Sequence, residues 1–210
     1  MHKKKHLFIS FEGIEGSGKS YQSQKLYKFL KKNNKRVIFT REPGGSISSE
    51  EIRKIILTGH KNKFTSITDT LLYLAARNEH VEKVIKPNIL KKNYIICDRF
   101  VDSTMAYQVY GRGVNKSLID NIHKHILGRI KPDITFILKV SSKKAFQRLK
   151  KRKKTNRYDK FSINFYNKVQ KAFLKIAKTN KKKYVVIDNS LDTPETEKLI
   201  FNKFNEALKK

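Results

Sequence analysis

Apolar residues fall along the chain in two rhythms. Short runs rich in β-branched and aromatic side chains, Leu7–Phe11, Val37–Thr40, Tyr94–Cys97, Ile134–Val140 and Tyr184–Ile187, alternate with longer segments whose apolar positions recur at helical spacing. Leu26, Phe29 and Leu30 mark one such face, Ile52, Ile55 and Ile56 a second, Leu71, Leu74 and Ala75 a third, and Leu199, Phe204 and Leu208 a less regular fourth. These stripes read as core. Near-continuous apolar strands joined by segments long enough for crossover helices predict a parallel sheet covered on both faces. The fold expected is α/β, a doubly wound parallel five-stranded sheet flanked by helices. Ligands of such sheets sit beyond the carboxyl ends of the strands. No repeat and no Pro/Gly/Ser linker interrupts the 210 residues, so a single domain spanning 1–210 is expected. The one compositional break runs from Arg148 to Lys160, and its charge density predicts a solvent-facing helix end and loop, a short lid segment over about 148–160.

Charge changes the picture next. Lys and Arg number 48 against 18 Asp and Glu, a formal net charge of +30, which points to nucleic acid, an anionic membrane or a phosphorylated ligand. Most of the excess is lysine spread from Lys3 to Lys210 among many Asn and Ile, the residues an AT-rich coding sequence favours, so a compositional origin stands beside a selected one. A single cysteine, Cys97, excludes an intramolecular disulfide and fits a reducing compartment. The apolar run after the basic amino end breaks at Ser10 and stops at Glu12, so no export signal is expected. The longest apolar runs are strand length, far below the roughly 20 residues that span a bilayer. A cytoplasmic chain with no membrane partner is expected. His123 and His125 are two apart, the wrong spacing for one helix face, and no transition-metal site is expected there.

The sharpest chemistry follows the first strand. Gly13-Ile14-Glu15-Gly16-Ser17-Gly18-Lys19-Ser20 matches G-x-x-x-x-G-K-[ST] and opens an amphipathic helix, the strand–loop–helix setting of a phosphate cradle and of a P-loop NTPase-type sheet. Backbone amides at such a turn converge on phosphate oxygens, Lys19 reaches the β/γ region, and the Ser20 hydroxyl can coordinate Mg²⁺. Asp98 and Arg99 end the third strand beside it, where a γ-phosphate would lie, with Asp98 a second candidate for Mg²⁺, directly or through water. A Ras-type GTPase would carry Asn-Lys-x-Asp after a late strand. The nearest match, Asn115-Lys116-Ser117-Leu118, lacks the Asp and lies elsewhere.

Phe11 to Ser20, Thr40-Arg41-Glu42-Pro43-Gly44-Gly45, Leu71-Leu72-Tyr73-Leu74-Ala75-Ala76-Arg77, Asp98-Arg99-Phe100 with Ser103-Thr104, and Ala106-Tyr107-Gln108 follow one another in an order that resembles the thymidylate kinase family. The resemblance runs from about residue 7 to residue 160 and takes in Lys131-Pro132-Asp133. It implies transfer of the ATP γ-phosphoryl group to thymidine monophosphate (dTMP), with Mg²⁺, by a homodimer. It further implies that Arg41 and Arg99 hold the acceptor monophosphate, Glu15 accepts from the deoxyribose 3′-hydroxyl, Tyr73 stacks on thymine and Arg77 donates to a thymine carbonyl. Ser103, Thr104 and Gln108 complete the pocket, and Tyr107 crowds out a ribose 2′-hydroxyl. By periodicity alone Tyr73 is a core residue and Arg77 a surface arginine.

Two departures stand out. Gly16 leaves the loop without an arginine of its own, which the family then supplies from the lid; Arg152 and Arg157 fall there, and with Lys19 and Arg99 they form the expected catalytic cations. Asn156-Arg157-Tyr158-Asp159 replaces the usual Asp-Arg-x-Glu of that lid, and Tyr21 replaces a common Thr. Two other readings remain open: another P-loop nucleoside monophosphate or deoxynucleoside kinase, and a nucleic-acid-binding protein with a vestigial loop. No helix-turn-helix, RRM or zinc-finger pattern accompanies the charge, so no specific nucleic acid is expected as partner.

Overall fold

The computed structural model describes residues 6–151, 156–191 and 193–209. Five strands, β1 (Phe8–Glu12), β2 (Val37–Arg41), β3 (Tyr94–Asp98), β4 (Ile134–Lys139) and β5 (Tyr184–Asp188), form one parallel sheet in the order β2-β3-β1-β4-β5. The central strands β1 and β3 are buried along their whole length, and β4 along all but its last residue, as two covered faces require. Each predicted strand is present to within one residue at either end.

Alternation along the strands divides the core. Ile9 and Phe11 of β1 and Phe136 and Leu138 of β4 face a layer made by α1 (Lys19–Lys32) and α9 (Pro194–Leu208), with Leu26, Leu30, Ile200 and Phe204 as its inner side chains. Phe29 and Phe201 stack at 4.5 Å where these two helices meet. The opposite residues point the other way. Ile137 packs with Val169 and Phe173 of α8 (Ile163–Lys178), and Phe8 meets Phe100 edge-on at 5.0 Å.

The remaining helices are α2 (Ile47–Leu57), α3 (Ser66–His80), a short α4 (Lys86–Leu90), α5 (Val101–Thr104), α6 (Lys116–Leu127) and α7 (Ser142–Lys150), and of these α2, α3 and α5 give side chains to the cleft at the carboxyl edge. Thr65 caps α3, accepting from Thr68 N–H at 3.2 Å, and this start sets the phase that turns Tyr73 and Arg77 inward. After α5 the chain widens into a π-helical stretch, Met105–Gly111, which carries Tyr107 and Gln108. A wider turn of this kind frequently accompanies a functional site.

Two expectations are corrected. The helical stripes are not all core: Ile55, Leu71 and Ala75 are exposed, because periodicity fixes a face but not which chain covers it. The 148–160 segment is not wholly solvent-facing either, since Arg157 and Tyr158, in a 3₁₀ turn Arg157–Lys160, are buried. Arg152 lies outside the described residues. Among the described residues no helix is long and apolar enough to cross a membrane.

Candidate active site

The phosphate loop joins β1 to α1 and its shape demands glycine. Gly13 and Gly16 have φ of +143° and +74°. A methyl group on Gly13 would lie 2.6 Å from the Leu138 carbonyl oxygen, and one on Gly16 would lie 2.5 Å from that of Ala145. Neither position accepts a side chain, so the missing loop arginine is a steric consequence of how α7 packs. From outside, Arg148 Nη1 donates to Gly16 O at 3.0 Å and Asn189 Nδ2 to Ser17 O at 2.7 Å. Gly18 caps α1 with no side chain on the first-turn amides, leaving the positive end of a 14-residue helix open to an anion. Lys19 Nζ, nearly buried, donates to Ile14 O at 3.2 Å and lies across the loop.

Ser20 Oγ donates to Asp98 Oδ2, and the buried Asp98 Oδ1 has no hydrogen-bond partner among the described residues. A hydroxyl beside an under-used carboxylate fits Mg²⁺, a hard cation that takes oxygen ligands and keeps several waters. Among the described residues no group of three or more His, Cys, Asp or Glu could hold a metal.

Across the loop stands Arg99. Its guanidinium donates to Gly13 O at 2.8 Å, Ser103 Oγ at 3.0 Å and Glu15 Oε1 at 2.7 Å, and lies 5.1 Å from the Tyr107 ring centre. The Tyr107 hydroxyl donates to the other Glu15 oxygen. Burial acts to raise the Glu15 carboxyl, but Arg99 and Lys19 outweigh it and hold it below its usual range. Arg99 stays protonated, its affinity for the proton raised by Glu15 against the opposing effect of burial.

Arg41, half exposed, pairs with Glu50 at 3.0 Å, and Arg53 donates to Pro43 O at 2.5 Å on the same rim. Deeper lies a polar cluster organised by Arg77. Nε and Nη2 meet Glu42 Oε2 at 2.8 and 2.7 Å, Nη2 also donates to Phe100 O at 3.0 Å, and Nη1 reaches Thr104 Oγ1 and His123 Nε2, each at 2.7 Å. Four of the five N–H groups of the guanidinium are thus hydrogen-bonded within the protein. Glu42 also contacts His80 at 3.0 Å; burial pushes its carboxyl up, but Arg77 and His80 hold it low.

One cleft with about 780 Å³ of open space is lined by Glu15, Lys19, Ser20, Arg41, Tyr73, Arg77, Asp98, Arg99, Ser103, Thr104, Tyr107 and Gln108. The remaining loop residues Gly13, Ile14, Gly16, Ser17 and Gly18 are not among the residues that line it. Arg157 is not among the lining residues: its guanidinium is bound to Asp69, which also accepts from the Tyr158 hydroxyl at 2.6 Å. A fully buried carboxylate needs such a partner, and the pair ties the 3₁₀ turn Arg157–Lys160 to α3.

A parallel sheet with a phosphate loop on its first strand, and a second set of cations on the facing wall, defines a P-loop phosphotransferase. The chain belongs to the thymidylate kinase family, whose model matches residues 11–200. The thymidylate kinase of Sulfurihydrogenibium sp. (strain YO3AOP1) is 38% identical over 200 residues, 95% of this chain and 97% of that protein. That of Wolbachia pipientis wMel is 46% identical over 174 residues, 81% and 85% of the two chains. The crystal structure of thymidylate kinase from Ehrlichia chaffeensis aligns with a TM-score of 0.78 and 34% identity, covering 95% of this chain and 98% of that one.

Sequence reasoning missed Glu42, Arg53, Asp69, His80, His123, Arg148 and Asn189; all but Arg53, whose partners Pro43 and Glu50 are local, act through partners far along the chain. Only Glu42 carried a signal, standing inside the Arg41–Gly45 motif. His123 gives a prediction. Burial first, then the Arg77 charge, lower its imidazole to about 3, so below its unfolded value of about 6.5 the unfolded chain takes up a proton that the folded chain refuses. Stability is lost on this account as pH falls from about 6.5 toward 3. His123→Gln is expected to gain stability relative to wild type between about pH 7 and pH 5, read by urea unfolding at the two values. An unchanged difference would show that His123 is protonated in the fold.

Proposed function

We propose that the chain phosphorylates dTMP to the diphosphate using the ATP γ-phosphoryl group, with the triphosphate on the loop and dTMP against α3 and the π-helical stretch. The observation that carries this reading is the second cationic wall: Arg99 and Arg41 face the loop from a strand end and a rim that a lone triphosphate would not need. Transfer between two phosphates requires in-line placement and charge neutralisation rather than covalent chemistry. Lys19 and the loop amides hold the donor; Arg41 and Arg99 hold the acceptor phosphate; Glu15 accepts from the 3′-hydroxyl. Tyr73 stacks on the base, and a thymine carbonyl takes the Arg77 N–H that Thr104 holds in the free protein. Ser103, Gln108 and the Tyr107 ring close the sugar side. Ser20 and Asp98 would hold Mg²⁺, which when bound would supply charge neutralisation at the β- and γ-phosphates. Cys97, buried and its thiol pushed up chiefly by burial, suits a reducing, cytoplasmic setting.

A coupled ADP-release assay with the thymidine, deoxycytidine, deoxyadenosine and deoxyguanosine monophosphates tests the acceptor. Thymidine monophosphate is expected to lead by at least about 100-fold in kcat/KM, and a purine or cytosine preference would assign the chain to a different monophosphate kinase.

With Arg157 committed to Asp69, Arg152 is the proposed lid cation. Arg152→Lys is expected to lower kcat at least about tenfold, since an ammonium cannot bridge two phosphates as a planar guanidinium does, whereas Lys151→Ala changes it little. Wild-type kcat for Arg152→Lys at saturating substrates refutes the role.

A homodimer is proposed on Ile67 and Leu71, one turn apart on α3 and 45% and 47% exposed. Sedimentation equilibrium is expected to give twice the chain mass, and Leu71→Glu a monomer; a wild-type monomer rules the assembly out.

A further inference from the structure

Glu12, the last residue of β1, is fully buried and does not line the cleft, yet its carboxyl group joins two groups that flank Arg99, the Phe100 N–H and the Ser103 hydroxyl. Oε1 accepts from Phe100 N–H at 2.7 Å, and Oε2 stands 2.6 Å from Ser103 Oγ. Ser103 Oγ in turn accepts from Arg99 Nη1 at 3.0 Å. Arg99 itself has a φ of +73°, the left-handed region that a branched-free but long side chain enters only when its surroundings force it. Three backbone bonds do so: Arg99 N–H to Phe11 O at 2.9 Å, Cys97 Sγ to Arg99 O at 2.9 Å, and the Phe100 N–H to Glu12. Of these, only Glu12 touches both the backbone following Arg99 and, through Ser103, its guanidinium.

We infer that Glu12 is a positioning residue for phosphoryl transfer: through Phe100 N–H and Ser103 Oγ it keeps Arg99 left-handed and aims its guanidinium across the phosphate loop. The inference rests on the reading of Arg99 as a holder of the acceptor phosphate. An aliphatic side chain of equal length would fill the same space and satisfy neither contact, leaving Phe100 N–H buried without a partner. Burial, and next the Asp102 carboxylate, push the Glu12 carboxyl up to about 8. Near neutral pH it is therefore mainly protonated, an acceptor oxygen beside an O–H donor, the same pair that a glutamine amide presents.

The test is steady-state kinetics with ATP and dTMP on the full chain. Glu12→Gln keeps both contacts and is expected to retain kcat within about threefold. Glu12→Leu is expected to lose at least about tenfold in kcat and raise the dTMP KM, while the ATP KM shifts less than about twofold and the circular dichroism is unchanged. A merely structural residue would move both KM values together. Should Glu12→Leu fail to fold, Glu12→Asp decides, because it withdraws the acid by one methylene and is expected to show the same split. Wild-type kinetics for Glu12→Leu or Glu12→Asp overturns the inference, and so does Glu12→Gln as slow as Glu12→Leu. Arg99→Lys separates the two layers: wild-type kcat there removes the reading of Arg99 and the inference with it, whereas a crippled Arg99→Lys beside an unaffected Glu12→Leu removes the inference alone.

Discussion

The pairing of β1 with β3 governs the site. Their register sets Phe11 opposite Asp98, so the two chains leave the sheet side by side, one as the phosphate loop and the other as Arg99. A shift of one residue would invert the side chains of a strand buried on both faces, and the core forbids it. That packing constraint is what allows Arg99 Nη1 to reach Gly13 O at 2.8 Å and Ser20 to meet Asp98. The two sides of the cleft are thus fastened together by apolar burial in the sheet beneath them, and the polar contacts refine a distance already set.

Above the sheet the structure keeps an unusual amount of charge out of water. Glu42 with Arg77 and His80, Asp69 with Arg157, and Glu15 with Arg99 are all buried or nearly so. Pairs of this kind add little net stability, because desolvation offsets much of their attraction, but removing one partner strands the other at a cost of about 3–5 kcal/mol. Their effect is on geometry. Each holds a cation in a single orientation by partners supplied from the protein itself.

What was legible in the sequence was local. The loop spelling, the Arg41–Gly45 motif, the strand runs and the Asp98–Arg99 step each lie within a few residues, where spacing and conformation are tied directly. The illegible parts were tertiary. Nothing near His123 announces that α6 delivers it to Arg77, and nothing near Asp69 announces Arg157, 88 residues on. Composition misled where it was trusted most: the 148–160 stretch is so rich in cations that burial looked excluded, yet one buried carboxylate was enough to draw Arg157 and Tyr158 inside. The apolar positions Leu71 and Ala75 erred in the opposite sense, since a periodic stripe records a covered face without naming the cover.

Position 16 also bears on how this enzyme could change over time. A single base change at its codon would place a side chain where the Ala145 carbonyl already stands, on a backbone with φ of +74°. A descendant with a loop-borne arginine would first have to retract α7 or reshape the turn, and either alteration alone disturbs Gly16 and its bond to Arg148. The two cationic arrangements are separated by a valley that no single substitution crosses. Lineages on this side of it keep a phosphate loop, Gly13 to Ser20, whose one cationic side chain is Lys19.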